Sequence, residues 1–252
     1  MKVGIVGKGG VGKTTTSALI ARALSERGRR VVAVDTDSNP NLGMSLGLTL
    51  EETEGVPQLP RSLIVGSGGD VTAEEVIDKY GRTTPFGVTL ISAIRVNEAG
   101  AGCTCGGHAS VRSFLGDVLH DKADVTLVDM EAGLEHLSRS GGTLAYADVL
   151  LVVMEPSRKS IITAARTIAL AEELGIPRTY GVGNKARGDG DIEFFEKVCA
   201  EYGVPLGGVI PFDTAVVDAD RAGGSLALGS GDQVRREIDK VVDFLDGVTV
   251  AS

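Results

Sequence analysis

The chain has 252 residues, and its 25 lysine and arginine residues against 34 aspartate and glutamate residues give a formal net charge of −9. The hydrophobic fraction of 42% and the charged fraction of 23% are typical of a globular chain and exclude wholesale disorder, while the negative charge argues against non-specific nucleic-acid binding and a polybasic membrane anchor. Three cysteines are too few for a disulfide framework and favour a reducing compartment.

Short β-rich runs alternate with helical patterns along the chain. In chain order, strands are predicted at Lys2–Val6, Arg30–Asp35, Val88–Ser92, Val125–Asp129, Val149–Met154, Tyr180–Asn184 and Gly208–Ile210. Helices are predicted at Lys13–Arg27, Thr72–Tyr80, Ser110–His120, Ser157–Glu173, Ile192–Tyr202 and Gln233–Leu245. This alternation, with nearly continuous apolar strands, predicts an α/β fold whose doubly wound, mostly parallel sheet is flanked by helices.

The sequence favours a single domain over residues 1–252. No segment has the composition of an interdomain linker, and the stretch Thr49–Gly69, which Pro and Gly interrupt, is expected to be a surface excursion. No basic leader with a long apolar stretch precedes the first strand, and the apolar run Val149–Met154 is far shorter than the roughly 18 residues of a membrane-spanning helix. We therefore expect a soluble cytoplasmic protein.

The first predicted strand ends in a glycine-rich loop. Its sequence, Gly7-Lys8-Gly9-Gly10-Val11-Gly12-Lys13-Thr14, fits the phosphate-binding pattern G-x-x-x-x-G-K-[ST] and lies between a strand and a helix, as that motif requires. Glycines let successive backbone N–H groups turn towards phosphates, and the helix adds its positive N-terminal end. Lys13 would reach the β- and γ-phosphates of ATP, and Thr14 would coordinate Mg²⁺. The remaining expected ATP-binding residues of this segment are Gly9, Gly10, Val11, Gly12 and Thr15.

A second lysine, Lys8, stands at the start of this loop. A lysine at this position resembles the deviant phosphate-loop ATPases, the family that includes the ParA and MinD proteins and the nitrogenase iron protein. In that family the early lysine reaches the nucleotide of the partner subunit. The resemblance therefore implies an ATP-dependent homodimer in which Lys8 and Lys13 both have catalytic roles, whereas from the sequence alone Lys8 could also be an ordinary solvated lysine.

Carboxylates follow two of the predicted strands, at the edge where parallel sheets bind ligands. Asp35 and Asp37 stand at the end of the second strand, and Asp129 ends a later one. The family resemblance implies that Asp37 orients the attacking water and that Asp37, Asp129 and Thr14 form the Mg²⁺ site, with Asp129 acting through water. It also implies that the N–H group of Gly133 senses the γ-phosphate. Asp35 is expected to be a structural or metal-shell neighbour.

The adenine site is predicted at the ends of two later strands. Asn184 closes one of them and matches the family residue that hydrogen-bonds adenine, whereas Pro211 and Phe212 follow the next strand, where the family sandwiches the base. Asn-Lys at the end of a strand is also a common turn signal, so a plain turn at residues 184–185 is the alternative interpretation.

Cys103 and Cys105 are separated by one residue in a glycine-rich segment. In an extended segment residues i and i+2 point to the same side, so one chain offers two thiolates, which is half of a four-coordinate site. Two protomers related by a two-fold axis would complete that site, and thiolates bind Ni²⁺ and Zn²⁺ alike. An inert pair and a redox pair are the alternatives, although a disulfide across one residue would close a strained ring.

Together these motifs resemble one branch of the family, the nickel-insertion accessory ATPases of carbon-monoxide dehydrogenase, or CooC branch. The resemblance runs almost end to end, and its specific signs are the loop with Lys8, the Cys pair, and the segments Val34-Asp35-Thr36-Asp37-Ser38-Asn39 and Val128-Asp129-Met130-Glu131-Ala132-Gly133-Leu134-Glu135-His136-Leu137. It implies a cytoplasmic ATPase that dimerises around Ni²⁺ or Zn²⁺ and delivers the metal to a nickel enzyme such as carbon-monoxide dehydrogenase.

Two other functions are open at this point. A ParA- or MinD-like positioning ATPase would need a basic DNA-binding patch or a basic amphipathic C-terminal helix, whereas Val241–Gly247 is apolar and acidic. An iron–sulfur reductase would hold a cluster between subunits, but in the nitrogenase iron protein the cysteines are widely separated rather than adjacent. We expect neither a nucleic-acid nor a membrane partner. His108 and His136 are weaker candidate ligands, and Cys199 is expected to be a buried small hydrophobe.

Overall fold

The computed structural model describes residues 1–37, 39–60, 72–93, 123–130, 147–222 and 231–250. These residues form an eight-stranded sheet with helices packed against it. The strands are β1 (Lys2–Gly7), β2 (Val31–Asp35), β3 (Arg82–Thr83), β4 (Thr89–Ser92), β5 (Val125–Asp129), β6 (Val149–Met154), β7 (Thr179–Ala186) and β8 (Leu206–Pro211). The helices are α1 (Lys13–Glu26), α2 (Leu42–Ser45), α3 (Leu50–Glu54), α4 (Ala73–Tyr80), α5 (Arg158–Glu173), α6 (Asp189–Glu201), α7 (Thr214–Arg221) and α8 (Asp232–Val250).

The sheet is mostly parallel, with the strand order β3-β4-β2-β5-β1-β6-β7-β8. Only the short β3 pairs antiparallel with its neighbour among these strands. The predicted α/β fold with a doubly wound, mostly parallel sheet is therefore confirmed. The chain adds strands first on one side of β1 and then, from β6, on the other, which makes β1 the switch point where open α/β sheets bind ligands.

Apolar side chains cover both faces of the sheet. Every residue of β2, β5 and β6 is buried, as expected for parallel strands between two helical layers. Alternate residues of β2 belong to different layers, since Val32 and Val34 pack in the layer that contains residues of α5 and α6. Val31 and Ala33 pack in the layer that contains residues of α1 and α8. Helix α1 therefore starts at the switch point and is held by the C-terminal helix.

The predicted strands and helices that fall on described residues are confirmed. Their ends agree to within three residues, except that α8 continues to Val250 instead of ending near Leu245. The predicted helix Ser110–His120 lies outside the described residues. The short elements α2, α3, β3 and α7 were not predicted, although α3 has a recognisable signal in the capping box that Thr49 forms with Glu52. This helix occupies part of the predicted surface excursion.

Helix α8 docks through an apolar stripe on one side. The buried residues of this stripe are Val234, Ile238, Val241, Val242 and Leu245. Beside it, Arg27 Nη1 lies 2.7 Å from Asp243 Oδ1, and Arg29 Nη2 lies 2.8 Å from Asp246 Oδ1. Such exposed ion pairs contribute only about 0–1 kcal/mol each, so the apolar stripe dominates the docking. Within the described part of the chain, no helix combines the length and apolarity needed to span a bilayer.

Shortening Leu245 tests how α8 is held. Leu245 is fully buried, so Leu245→Ala is expected to lower the free energy of unfolding by about 3 kcal/mol, through lost burial and a residual cavity. Urea denaturation measures this loss. The control is Lys240→Ala on the same helix, whose ammonium makes an exposed pair with Glu237, and it should change stability by less than about 0.5 kcal/mol. Equal losses in the two variants would contradict this account of the docking.

Candidate nucleotide site

The backbone between β1 and α1 forms a concave loop. Gly10 and Gly12 are left-handed, with φ values of 82° and 94°. Val11 between them has a negative φ, as have all described residues other than glycine except Lys185. Backbone that alternates in handedness turns successive N–H groups towards one point and so forms an anion-binding nest. Helix α1 begins directly after it, without a side-chain cap and without an acidic residue in its first turn. Its N-terminal N–H groups therefore favour a bound phosphate.

The end of β7 contacts this loop directly. Asn184 is buried, and its Nδ2 donates a hydrogen bond to the carbonyl oxygen of Val11 at 2.9 Å. The Asn184 Oδ1 accepts from the backbone N–H of Lys185 at 2.9 Å, and the Lys185 Nζ donates to the carbonyl oxygen of Gly10 at 2.6 Å. A Cβ at Gly12 would overlap the Asn184 amide nitrogen. The identity of Gly12 thus follows from both its φ and this close approach.

Two buried carboxylates lie side by side on adjacent strands. Asp35 and Asp129 are register partners at the carboxyl ends of β2 and β5. Asp35 accepts hydrogen bonds from the backbone N–H groups of Asp37 at 3.1 Å and Leu42 at 3.0 Å. The Ser17 hydroxyl donates to Asp129 Oδ1 at 3.0 Å. Because Ser17 lies on α1, this bond ties the end of β5 to the first turns of the helix that follows the loop.

Burial raises the pKa values of both carboxyl groups. Burial raises the pKa of Asp35 to about 7, and the negative charge of Asp129 adds to the rise. Burial also raises the pKa of Asp129 to about 6, although hydrogen bonds from Thr14 and Ser17 and the charge of Lys13 oppose it. The charge of Asp37 raises the pKa of both, so Asp37 lies within electrostatic reach of the pair. The structure therefore brings together most of the residues expected at the phosphates and at Mg²⁺.

This donor set fits a magnesium ion. Thr14 and Ser17 offer hydroxyl oxygens and Asp129 a carboxylate, all within one hydrogen-bonded group, and Mg²⁺ prefers oxygen ligands of this kind. A nearby cation would also favour the ionised forms of Asp35 and Asp129, which burial disfavours. Asp37 is only partly buried, and its Oδ1 accepts from the backbone N–H of Asn39 at 2.9 Å. Ser17 was not predicted from the sequence, because its contact with Asp129 joins residues 112 positions apart.

A cavity of about 380 Å³ lies beside the loop. It is lined by Gly12, Thr14 and Thr15 from the loop and α1, and by Asn184, Pro211 and Phe212 from the strand ends. The three residues predicted at adenine therefore line one cavity together with the start of α1. The guanidinium carbon of Arg187 lies 4.8 Å from the centre of the Phe212 ring, and the Phe212 N–H donates to the carbonyl of Ala186 at 2.8 Å. These two contacts hold the ring in place.

One wall of the cavity comes from an element that the sequence analysis missed. Helix α7 contributes Val216 and Val217, and Asp213 caps it by accepting from the N–H of Ala215 at 2.8 Å. The second carboxylate oxygen of Asp213 accepts from the N–H of Gly231 at 2.7 Å, which joins α7 to the start of α8. Asp213 immediately precedes this helix, and an aspartate at that position is an N-cap signal that could have predicted the helix.

The structure describes only some of the remaining predicted site residues. Lys8 and Gly9 are exposed in the loop, while Lys13 is buried. Cys103, Cys105, His108, Gly133 and His136 all lie outside the described residues. Among the residues that are described, no three His, Cys, Asp or Glu side chains form a group that could hold a metal ion. Cys199 is buried in α6, as predicted, and burial raises the pKa of its thiol to about 11. A thiol in this environment is unreactive.

The fold and the site define a class of protein. A parallel sheet with a phosphate-binding nest at its switch point, buried carboxylates beside it and an adjoining cavity is the arrangement of a phosphate-loop nucleotide-binding protein. A family model described as "CobQ/CobB/MinD/ParA nucleotide binding domain" matches residues 4–226. The chain belongs to this family.

Similar proteins agree with this assignment. The carbon monoxide dehydrogenase accessory protein CooC of Rhodospirillum rubrum is 37% identical over 237 residues, which are 88% of each chain. An uncharacterized ATP-binding protein of Methanocaldococcus jannaschii is 32% identical over 258 residues, 97% of each chain. Cobyrinic acid a,c-diamide synthase from Mycobacterium smegmatis, solved with a bound ATP analog and magnesium, has the same fold, with a TM-score of 0.69, 23% identity and coverage of 98% and 96%. The resemblance to MinD, ParA and CooC proteins is confirmed, and the chain is a phosphate-loop ATPase.

Replacing Gly12 by alanine tests the packing of the loop. The new Cβ would both strain a backbone with a φ of 94° and displace the Asn184 amide. We expect Gly12→Ala to lower the free energy of unfolding by about 1–3 kcal/mol and to weaken ATP binding at least about tenfold. Calorimetric titration with an ATP analogue and urea denaturation measure the two effects. The control is Gly190→Ala in α6, where a Cβ meets no atom within 4 Å and should leave ATP affinity unchanged.

The carboxyl pair predicts a pH dependence in protein free of Mg²⁺ and nucleotide. The pKa of Asp35 rises from 3.8 to about 7 on folding, so between these values the folded chain holds a proton that the unfolded chain has lost. The contribution of Asp35 to the free energy of unfolding is therefore full below its unfolded pKa and is lost as the pH rises through its folded pKa.

The measurement compares wild type with Asp35→Asn by urea denaturation at about pH 5 and about pH 8. The stability of wild type minus that of the variant should be smaller at the higher pH. Any pH-independent effect of the substitution, such as a lost hydrogen bond to the Leu42 N–H, cancels in this comparison. A difference that stays constant or grows with pH would contradict the assigned pKa shift.

Proposed function

We propose that this protein is a cytoplasmic metallochaperone that binds and hydrolyses Mg-ATP and uses the cycle to deliver Ni²⁺ or Zn²⁺ to a metalloenzyme. The nucleotide part rests above all on one observation: the nest, the paired strand-end carboxylates and the cavity adjoin one another around the start of α1. An ATP molecule needs all three features: the nest for its phosphates, the carboxylates for its metal ion and the cavity for its base.

The phosphate end of the site neutralises and orients the triphosphate. The backbone N–H groups of the nest and of the first turn of α1, from Gly9 to Thr15, surround the phosphates, and Lys13 balances charge on the β- and γ-phosphates. Mg²⁺, when bound by Thr14, Asp37 and Asp129, supplies further neutralisation of the phosphate oxygens. Asp37 holds the attacking water, and the N–H group of Gly133 responds to the γ-phosphate. Lys8 is exposed, as a lysine that reaches the nucleotide of a partner subunit must be.

The base end of the site suits adenine. Asn184 uses one N–H on Val11 and one lone pair on the Lys185 N–H, so one donor and one acceptor are left on its amide. That pair complements the N7 acceptor and the amino group of adenine, the edge that asparagine reads in nucleic acids. Pro211 and the Phe212 ring supply apolar surface for the faces of the base. This complementarity favours ATP over triphosphates whose base presents a keto oxygen at the same edge.

The cargo site is proposed on Cys103 and Cys105. Each protomer supplies two thiolates, and a homodimer closed by ATP brings four together on its axis. The 37% identity to a carbon monoxide dehydrogenase accessory protein supports this assignment and makes carbon-monoxide dehydrogenase, or a related nickel enzyme, the proposed client. ATP binding would order the segments after Asp37 and Asp129 and change the cysteine site, and hydrolysis would reopen it.

The C-terminal helix distinguishes this proposal from a membrane- or DNA-positioning ATPase. A membrane-binding helix needs a free apolar face beside basic residues. In α8 the apolar stripe is buried against the rest of the molecule, and Asp239, Asp243 and Asp246 bind Arg27 and Arg29. The helix is therefore committed to the fold, and its acidic residues outnumber its basic ones by five to three. This arrangement argues against α8 as a membrane-binding helix.

Metal titration of the cysteine variants tests the proposal. Wild type, Cys103→Ser/Cys105→Ser and Cys199→Ser are titrated with Ni²⁺ and with Zn²⁺, with and without a non-hydrolysable ATP analogue. Wild type should bind about one metal ion per two chains, and the double variant should lose this binding because it lacks all four thiolates. Cys199→Ser should bind like wild type, since its thiol is buried and unreactive. Stoichiometric tight binding by the double variant would contradict the proposed cargo site.

A further inference from the structure

Two donors at the end of β7 hold two consecutive peptide groups of the phosphate loop. The Lys185 ammonium donates to the carbonyl oxygen of Gly10 at 2.6 Å, and the Asn184 amide donates to the carbonyl oxygen of Val11 at 2.9 Å. We refer to these two bonds as the carbonyl latch. Both bonds join residues more than 170 positions apart, so the fold and not the local sequence creates the latch.

The latch determines which side of each peptide group faces the phosphates. In a planar trans peptide the carbonyl and the following N–H point in opposite directions, and none of the described peptide bonds is cis. Holding the carbonyls of Gly10 and Val11 towards β7 therefore directs the N–H groups of Val11 and Gly12 to the opposite side, where the Val11 N–H also makes a long bond of 3.4 Å to the carbonyl oxygen of Lys8. A carbonyl oxygen carries partial negative charge and would repel a phosphate, so a loop that loses these bonds can present the wrong end of its peptide dipoles.

The backbone of Lys185 is unusual in a way that fits this role. Its φ of 63° lies in the left-handed region, which L-residues with a Cβ rarely adopt. The pairing of β7 with β8 is irregular between Gly183 and Ala186, so the strand is distorted where Lys185 lies. Glycine would adopt this conformation without strain but would offer no ammonium group. Strained residues that persist in a fold are concentrated at functional sites.

We propose that Lys185 is a positioning residue of the nucleotide site, which acts with Asn184 to preset the phosphate loop before ATP arrives. In this role its ammonium acts on the nucleotide through the loop backbone, by donating to the Gly10 carbonyl. The proposal rests on the nucleotide part of the proposed function and is independent of the metal cargo. It also explains why the residue next to the predicted adenine contact lines the cavity without belonging to the phosphate-binding motif.

Three substitutions separate the latch from folding and from simple charge. Lys185→Met keeps the length of the side chain and removes the ammonium. Lys185→Gly removes the ammonium and relieves the left-handed strain, which offsets the greater freedom that glycine gives the unfolded chain, so its melting temperature should stay close to that of wild type. Lys185→Arg restores a cationic donor. Lys197→Met, at an exposed position on α6 that does not line the cavity, is the matched control for loss of one positive charge.

The measurements are made on the full-length protein. Backbone ¹⁵N relaxation of the nucleotide-free protein gives order parameters at Gly9, Gly10 and Gly12, and titration with a non-hydrolysable ATP analogue and Mg²⁺ gives the dissociation constant. Lys185→Met and Lys185→Gly should lower the loop order parameters from about 0.85 towards 0.6 or below. Both should weaken ATP binding about tenfold while the turnover rate at saturating ATP stays within about twofold. Lys185→Arg should restore both quantities, and Lys197→Met should change neither.

The outcomes discriminate between the possibilities. Weaker ATP binding with unchanged loop order would make Lys185 a direct nucleotide ligand and would overturn the positioning role. Unchanged binding and unchanged order in Lys185→Gly would overturn it as well. If the wild-type protein failed to bind ATP, the nucleotide part of the proposed function would fall, and the order parameters of the nucleotide-free loop would still decide whether the latch exists.

Discussion

A peptide loop binds a phosphate only when its N–H groups converge and its carbonyls face away, and much of this structure serves that constraint. The glycines at 10 and 12 allow the turn, but the bonds from Asn184 and Lys185 hold the carbonyls. Those bonds exist because β7 lies two strands from β1 in the sheet, with Gly183 in register with Met154 and Gly7 with Val153. The order of strands therefore determines the electrostatics of the loop.

The same edge of the sheet also holds a pair of buried carboxyl groups. Asp35 and Asp129 are buried side by side, where desolvation favours their protonated forms, and the α1 residues Ser17 and Thr14 donate hydrogen bonds to Asp129. A cation at this point would lower the free energy of the ionised pair. Nest and carboxylates thus attract opposite charges to adjacent positions, which is the requirement of a magnesium–triphosphate complex.

Much of the fold and part of the site could be predicted because their signals are local. Apolar strands, amphipathic helices and the glycine loop each occupy a few consecutive residues, and Asn184, Pro211 and Phe212 were found as strand-end residues that the structure places on one cavity. The roles of Ser17 and Lys185 were missed because their partners lie 112 and 175 positions away in the sequence. The bond by which Asp213 joins α7 to α8 was missed because its partner, Gly231, lies 18 positions further along the chain. The short helix α7 was missed because its eight residues carry no long apolar period.

By itself the sequence determined the α/β class, the phosphate loop and the membership of the MinD and ParA family, and it suggested metal cargo through Cys103 and Cys105. Short-range spacing is enough for these, because a glycine turn, a strand period or a cysteine pair is defined within a few residues. Only the tertiary structure decided which carbonyls Lys185 and Asn184 hold and that Asp35 lies beside Asp129. Those relations depend on strand order and register, which bring together residues about 90 to 175 positions apart and which no local pattern encodes.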